Sequence, residues 1–200
     1  MQEADRTISS YNAHASAYAR RWFDFRLDDN VNRFAARLQP GARILDVGCG
    51  VGRDVGHLRE LGFKAAGIDL SRGMLIEARR RVKAPFVRAD MRRLPFGDGS
   101  FDALWVCASL LHLPQAQAPA ALAECGRVLG RGHIFLTLKR GRGERWVQKP
   151  DSDQTYFFAY YFPAEIKVLL KQAGFCLLES WENPPGPGQS HPWLNIIASV

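Results

Sequence analysis

"ILDVGCGVGRDVGHL", Ile44 to Leu58, sets three alternating glycines between two apolar runs, with Asp46 just ahead of them. An aliphatic run that stops at Gly48 reads as a buried strand ending in a tight turn. Val55 and Leu58 then resume at helical spacing. Strand, glycine turn and helix together form the opening unit of a doubly wound α/β sheet, which binds its ligands outside the carboxyl ends of its strands. Gly48, Gly50 and Gly52 allow positive φ and carry no Cβ, so a ligand can lie against the backbone. The dinucleotide fingerprint G-x-G-x-x-G needs a third glycine where Arg53 or Val55 stands, so that reading fails.

Short apolar runs at 43–47, 64–69, 84–88, 101–107 and 133–138 read as near-continuously apolar strands, the mark of a sheet covered on both faces. Helical stripes alternate with them. Ala121, Leu122, Cys125, Val128 and Leu129 form one stripe, between Pro119 and Gly130; Ile166, Leu169, Leu170 and Ala173 form another, between Pro163 and Gly174. Two late strands, 175–182 and 193–199, flank a Pro/Gly connector at 183–192, and the polar stretch 140–155 is expected to be a long loop. Residues 7–38 are expected to be mostly helical. The whole chain, 1–200, reads as one domain, with 1–38 as a helical appendage on a 39–200 core.

Two further acids stand at successive strand ends. Asp69, followed by Leu70, lies 17 residues past Gly52, where a carboxylate can accept both hydroxyls of a ribose. Asp90 and Met91 end the third strand, where the acid can accept from an exocyclic amine and the thioether can pack on a ring. Any one of these acids is equally a helix N-cap. Asp46, Asp69 and Asp90 together, on one sheet edge, favour a site.

The composition narrows the class of protein. A net charge of +7 comes largely from Arg79–Arg81, Arg92–Arg93 and the 139–145 stretch. It suits anionic partners, but no aromatic-interleaved basic stripe of the single-stranded RNA-binding kind is present. The four cysteines form no CxxC pair, so neither zinc nor a disulfide framework is expected. The first ten residues have no apolar core, and the longest apolar run, Ala103–Leu113, is too short for a membrane span. A cytoplasmic location follows as the expectation.

The combination of motifs resembles the class I S-adenosylmethionine-dependent methyltransferases. "ILDVGCGVG" is similar to their first motif, "GIDLS" to the second, "RADMRRLPF" to the third and "FDALWVCASLLHLP" to the fourth, and "YYFPAEIKVLLKQAGF" is similar to their carboxyl end. Within the family, the resemblance is to the small-molecule, ubiquinone/menaquinone-methyltransferase-like group. It implies a Rossmann-like, seven-stranded, mostly parallel sheet with an antiparallel last strand at 193–199 and an N-terminal helical lid. It implies S-adenosyl-L-methionine as cofactor. Gly48 and Gly50 would then face its methionine part, Asp69 with Leu70 its ribose, and Asp90 with Met91 its adenine. The Ala108 backbone would take the amino group, and Asp46 would orient the glycine loop and help hold the ammonium. "YNAHASAYARR" is similar to the lid helix, with Tyr11, Tyr18 and Arg20 closing over the sulfonium or its carboxylate.

Methyl transfer from a sulfonium rests on alignment more than on acid–base chemistry, so the acceptor leaves little trace in the sequence. "NPPG" at 183–186 lies too late in the chain for the Asn-Pro-Pro-aromatic motif of amino-group methyltransferases, and no Pro-Cys pair follows the fourth strand. "DSD" at 151–153 reads as a loop, so no metal is expected. His112 is the candidate general base, because its ordinary pKa suits proton removal near neutrality. His14 in the lid, Trp146 and the aromatics of 156–162 are candidate walls for the acceptor. The expected partner is a small-molecule acceptor on O, N or C, with no membrane and a monomer or weak homodimer. The alternatives are a tRNA or rRNA methyltransferase using the basic surface, and a cofactor-binding protein without catalysis.

Overall fold

The apolar runs become strands because a sheet covered on both faces leaves no polar side to display. In the computed structural model, which describes residues 3–149, 153–186 and 190–200, five strands run parallel. They are β1 (Arg43–Val47), β2 (Lys64–Asp69), β3 (Phe86–Arg88), β4 (Ala103–Cys107) and β5 (His133–Arg140), in the order β3-β2-β1-β4-β5. Trp105 of β4 stacks on Phe135 of β5, with ring centroids 4.0 Å apart and planes at 17°, and both are fully buried.

β9 (Trp193–Ser199) runs antiparallel along β5, from His133↔Ser199 to Lys139↔Trp193, and β8 (Cys176–Asn183) pairs antiparallel with its outer side. These seven strands, with the antiparallel last one inserted beside β5, are the sheet expected from the sequence. Two more join it. β6 (Glu144–Gln148) and β7 (Thr155–Tyr161) form an antiparallel hairpin that meets β5 only at Lys139↔Tyr160 and Arg140↔Tyr161. The middle of the loop expected over 140–155, Glu144–Gln148, is therefore strand. Polar side chains at Arg145 and Gln148 mask a period of two: Trp146 packs toward the core while Arg145 and Val147 line an open cleft. Residues 151 and 152 of the "DSD" stretch, and 187–189 of the late connector, lie outside the described residues.

Helices cover both faces. α3 (Arg53–Glu60) and α4 (Arg72–Arg81) follow β1 and β2, while α5 (Ala118–Leu129) and α6 (Pro163–Gln172) carry the two predicted stripes. The side chain of Ser71 caps α4 by accepting from the Met74 N–H at 3.2 Å. Ahead of the sheet come α1 (Glu3–Trp22) and α2 (Asp28–Ala35). α2 buries Val31 and Phe34 against Trp105 and Phe135 and so belongs to the core.

α1 instead lies across the carboxyl ends of the strands, between α4 and β7. Ala15 and Ala19 pack on Val51 and Met74, and polar bonds fasten the helix further. The Asn12 side-chain oxygen accepts from the Ser71 hydroxyl and the Gly73 N–H, each at 2.8 Å, and Thr7 Oγ1 accepts from the Phe157 N–H at 3.0 Å. Ser10 Oγ donates to the Thr155 carbonyl at 2.9 Å. Gly73 makes the close approach possible, since a Cβ there would stand 2.8 Å from the Asn12 carbonyl oxygen.

Candidate active site

The ends of β1, β2, β4 and β5 open into a cleft of about 1420 Å³ roofed by α1. It lies where the strand order reverses between β1 and β4, the usual crevice of an open α/β sheet. Of the glycines in the first turn, Gly50 alone faces open space: at φ +53°, nothing lies within 4 Å of where its Cβ would stand. Gly48 lines the cleft as well, but its absent side chain is required by the protein. At φ +83°, a Cβ would fall 2.3 Å from the Ser109 Cβ. Gly52, at φ +79°, makes room for Ala78 and Phe86. One glycine is thus left for a ligand.

Asp46 is only 2% exposed, lines the cleft, and has no hydrogen bond or ion pair among the described residues. Burial, reinforced by the charges of Asp54 and Asp69 and opposed by Arg53, holds its carboxyl well above the usual range. Asp69 is better served. Its two oxygens accept from the Gly50 N–H at 2.9 Å and the Ser71 N–H at 2.7 Å, and these bonds partly offset the burial that raises its pKa. The carboxylate therefore ties the glycine turn of β1 to the start of α4.

Beneath the turn lies a charge pair that the sequence reading passed over. Arg53 donates to both oxygens of Asp54, at 2.6 and 2.9 Å, and the Trp105 indole donates to Asp54 Oδ2 at 2.9 Å. Burial pushes the Asp54 carboxyl up, but Arg53 and these hydrogen bonds hold it below its ordinary value. Adjacent Arg-Asp after a glycine turn was the available signal, disguised as an ordinary charged first helical turn.

The remaining expected residues divide. Tyr11, Tyr18, Leu70, Met91 and Ala108 line the cleft. Ala108 holds φ at 52°, a left-handed conformation for a residue with a Cβ, at a cost on the order of 1 kcal/mol. Asp90 does not face the cleft: its carboxylate is clasped by Arg92, which also donates to Gln117 at 2.7 Å. Arg20 does not face it either, being exposed and bonded to Ser16 Oγ at 2.8 Å. Helical spacing puts Arg21, not Arg20, on the cleft side with Tyr11 and Tyr18. His14 stands outside too, 3.3 Å from Asp153.

His112 closes the far end. Its Nδ1 lies 2.8 Å from the Phe157 carbonyl, which can only accept, so Nδ1 carries the proton and Nε2 accepts from the Tyr11 hydroxyl at 2.9 Å. Burial, aided by the nearby charge of Lys139, lowers its pKa to about 4. The imidazole is neutral near neutrality but is a far weaker base than its ordinary value of 6.5 suggested. Beyond it, β7 alternates: Tyr156, Phe158 and Tyr160 line the cleft, while Phe157 and Tyr161 enter the core. Half of the aromatics in that run thus form a wall, and Trp146 is not among them.

Residues 44–132 match the sequence model of a family described as "Methyltransferase domain". The chain is 40% identical over 95 residues to a demethylmenaquinone methyltransferase of Beutenbergia cavernae, covering 47% of this chain and 39% of that one. It is 29% identical over 148 residues to an uncharacterized methyltransferase of Synechocystis, covering 70% of each. The chain therefore spans well under half of the first relative and more than two thirds of the second. Its fold is similar to that of magnesium protoporphyrin IX methyltransferase of Synechocystis, solved with bound S-adenosylmethionine, at a TM-score of 0.78 and 19% identity, over 100% of this chain and 97% of that one.

Proposed function

We propose that the chain is a class I S-adenosylmethionine-dependent methyltransferase whose cleft binds S-adenosyl-L-methionine and passes the methyl group to a small-molecule acceptor. When bound, that cofactor supplies a methyl on a positively charged sulfur, which departs as a thioether. The observation that carries the reading is Asp46. A buried carboxylate without a partner is costly unless a cation meets it, and an α-ammonium at the end of β1 is such a cation.

The other residues take roles to match. Each Asp69 oxygen holds one backbone N–H and keeps a lone pair for a ribose hydroxyl, with Leu70 beside it. Gly50 gives close access to the backbone, and Gly48 holds the turn against Ser109. Met91 serves the adenine, while Asp90, clasped by Arg92, shapes the turn next to it. Ala108 offers its backbone at the end of β4. Tyr11 and Tyr18 exclude water from above, and Arg20 drops out of the site.

His112 and the aromatic face of β7 bound the acceptor side. We assign 1–38 as a helical segment whose α1 is the lid and whose α2 packs into the 39–200 core of one domain, working in the cytoplasm as a monomer or weak homodimer. No helix among the described residues is long and apolar enough to cross a membrane. A cleft roofed by α1 and walled by a hairpin suits a small acceptor better than a polynucleotide.

Incubation with methyl-labelled cofactor, a pool of small-molecule acceptors and total RNA tests the reading. Label should enter the small-molecule fraction; label in RNA alone would favour the nucleic-acid reading, and none in either would favour the non-catalytic one.

A further inference from the structure

The acids at the sheet end of the cleft, one of them held by Arg53, stand apart from a second group of cations. Asp46, Asp54 and Asp69 lie at the ends of β1 and β2 and the start of α3. The opposite wall carries cations and rings. Lys139, at the end of β5, is half-buried with no hydrogen bond or carboxylate partner among the described residues. Its Nζ lies 4.2 Å from the centre of the Phe158 ring and 5.5 Å from that of Trp193. Arg145 sits 4.4 Å over Tyr160 and donates to His191 Nε2 at 2.8 Å, while Lys149 sits 5.0 Å from Tyr156. Along the hairpin, Arg145 is paired with Phe158 and Val147 with Tyr156, so one cation and two rings share that face. Burial, with Arg145 nearby, lowers the pKa of Lys139, which marks an ammonium short of both water and counter-charge.

An unpaired ammonium among aromatic faces is stabilised only in part by their quadrupoles. An anionic oxygen brought beside it would complete the pairing, and a flat ring attached to that oxygen would stack against Phe158, Tyr156 or Trp193. We propose that Lys139 is an acceptor-binding residue and that the acceptor is a planar aromatic molecule carrying an anionic oxygen, a carboxylate or an ionised hydroxyl. The proposal rests on the methyltransferase reading and narrows it. Where the anionic oxygen is itself methylated, its lone pair forms the O–CH₃ bond as the S–CH₃ pair returns to sulfur. No proton then has to be removed, which suits a site whose histidine is a weak base.

The test uses the full chain saturated with S-adenosylhomocysteine and three probes followed by tryptophan fluorescence: 2-naphthoate, its neutral amide 2-naphthamide, and the non-aromatic anion cyclohexanecarboxylate. Naphthoate should bind roughly 10-fold or more tighter than either of the others, the scale of one charge-assisted hydrogen bond or one ring stack. Lys139→Met should abolish the preference for naphthoate over naphthamide without weakening naphthamide, and Lys139→Arg should keep it. Equal binding of acid and amide by the wild-type chain, or an unchanged preference in Lys139→Met, overturns the anion site. Cyclohexanecarboxylate binding as tightly as naphthoate overturns the aromatic one. Failure of S-adenosylhomocysteine itself to bind in calorimetry would count against the methyltransferase reading, and the probe series without it would still report on Lys139.

Discussion

Gly48 and Gly50 stand two residues apart, both with positive φ, yet alanine should have different consequences at the two. At Gly50 the new methyl meets nothing within 4 Å, so the stability cost is the left-handed backbone alone, about 1–2 kcal/mol, less a few tenths returned by stiffening the unfolded chain. At Gly48 the methyl falls 2.3 Å from the Ser109 Cβ and 2.9 Å from its Oγ, which holds the Val47 carbonyl. Overpacking of about 1–3 kcal/mol adds to the same strain, for a total of roughly 2–5 kcal/mol. Ligand binding should rank them the other way. The Gly50 methyl projects into the space assigned to the cofactor, and a tenfold loss of affinity is expected if the two share that space.

Urea unfolding with and without S-adenosylhomocysteine separates the effects. At a ligand concentration of about 100 Kd the wild-type chain should gain about 2.7 kcal/mol, and at the same concentration Gly50→Ala should gain only about 1.4 kcal/mol. A Gly50→Ala protein that keeps the full gain refutes the placement of the cofactor against this turn. Equal destabilisation by the two alanines would refute the packing argument.

The fastening of α1 predicts that Asn12→Ala and Gly73→Ala each loosen the lid while leaving the core sheet intact. The first removes an acceptor shared by Ser71 and Gly73, and the second puts a methyl against the helix backbone. Hydrogen exchange should show faster exchange over 7–22 with unchanged β1 and β4; uniform change across the sheet would mean that α1 is structural. For His112 the sign follows from a folded pKa of about 4, below the unfolded 6.5. The unfolded chain binds the proton first, so the stability contributed by the neutral imidazole is full above pH 6.5 and is lost as pH falls toward 4. His112→Asn should flatten that part of the stability profile, and in the wild-type enzyme no activity step belonging to His112 should appear near pH 6.5. A histidine-dependent rise in rate there would contradict the buried, neutral state.

Much of this architecture was legible because the relevant signals are local. Ile44–Val47 and Ala103–Cys107 are buried on both faces and therefore lack alternation, and Pro119 and Gly130 mark the ends of α5 within a turn. The hairpin escaped because its period of two is written in mixed chemistry, Arg-Trp-Val-Gln against Tyr-Phe-Phe-Ala-Tyr, where cations and rings share the cleft face. Asp46 and Asp69 stand at the ends of parallel strands, a placement that topology dictates. The orientation of Asp90 turned on a salt bridge two residues away, and that of Arg20 on helical phase, and neither is visible in a motif. His112 was legible as a position but not as a base, since its pKa depends on burial against Phe157 and Tyr11, which lie far from it in the chain.

If the acidic end of the cleft holds an adenosyl cation, calorimetric titration with S-adenosyl-L-methionine will show it. The wild-type chain should bind one equivalent and should show no comparable heat with NAD. Asp46→Asn, which removes the unpartnered charge, should weaken binding by roughly 1.5–3 kcal/mol, the scale of a charge-assisted hydrogen bond. Absence of binding, or an Asp46→Asn chain that folds and binds as tightly as wild type, would contradict the account.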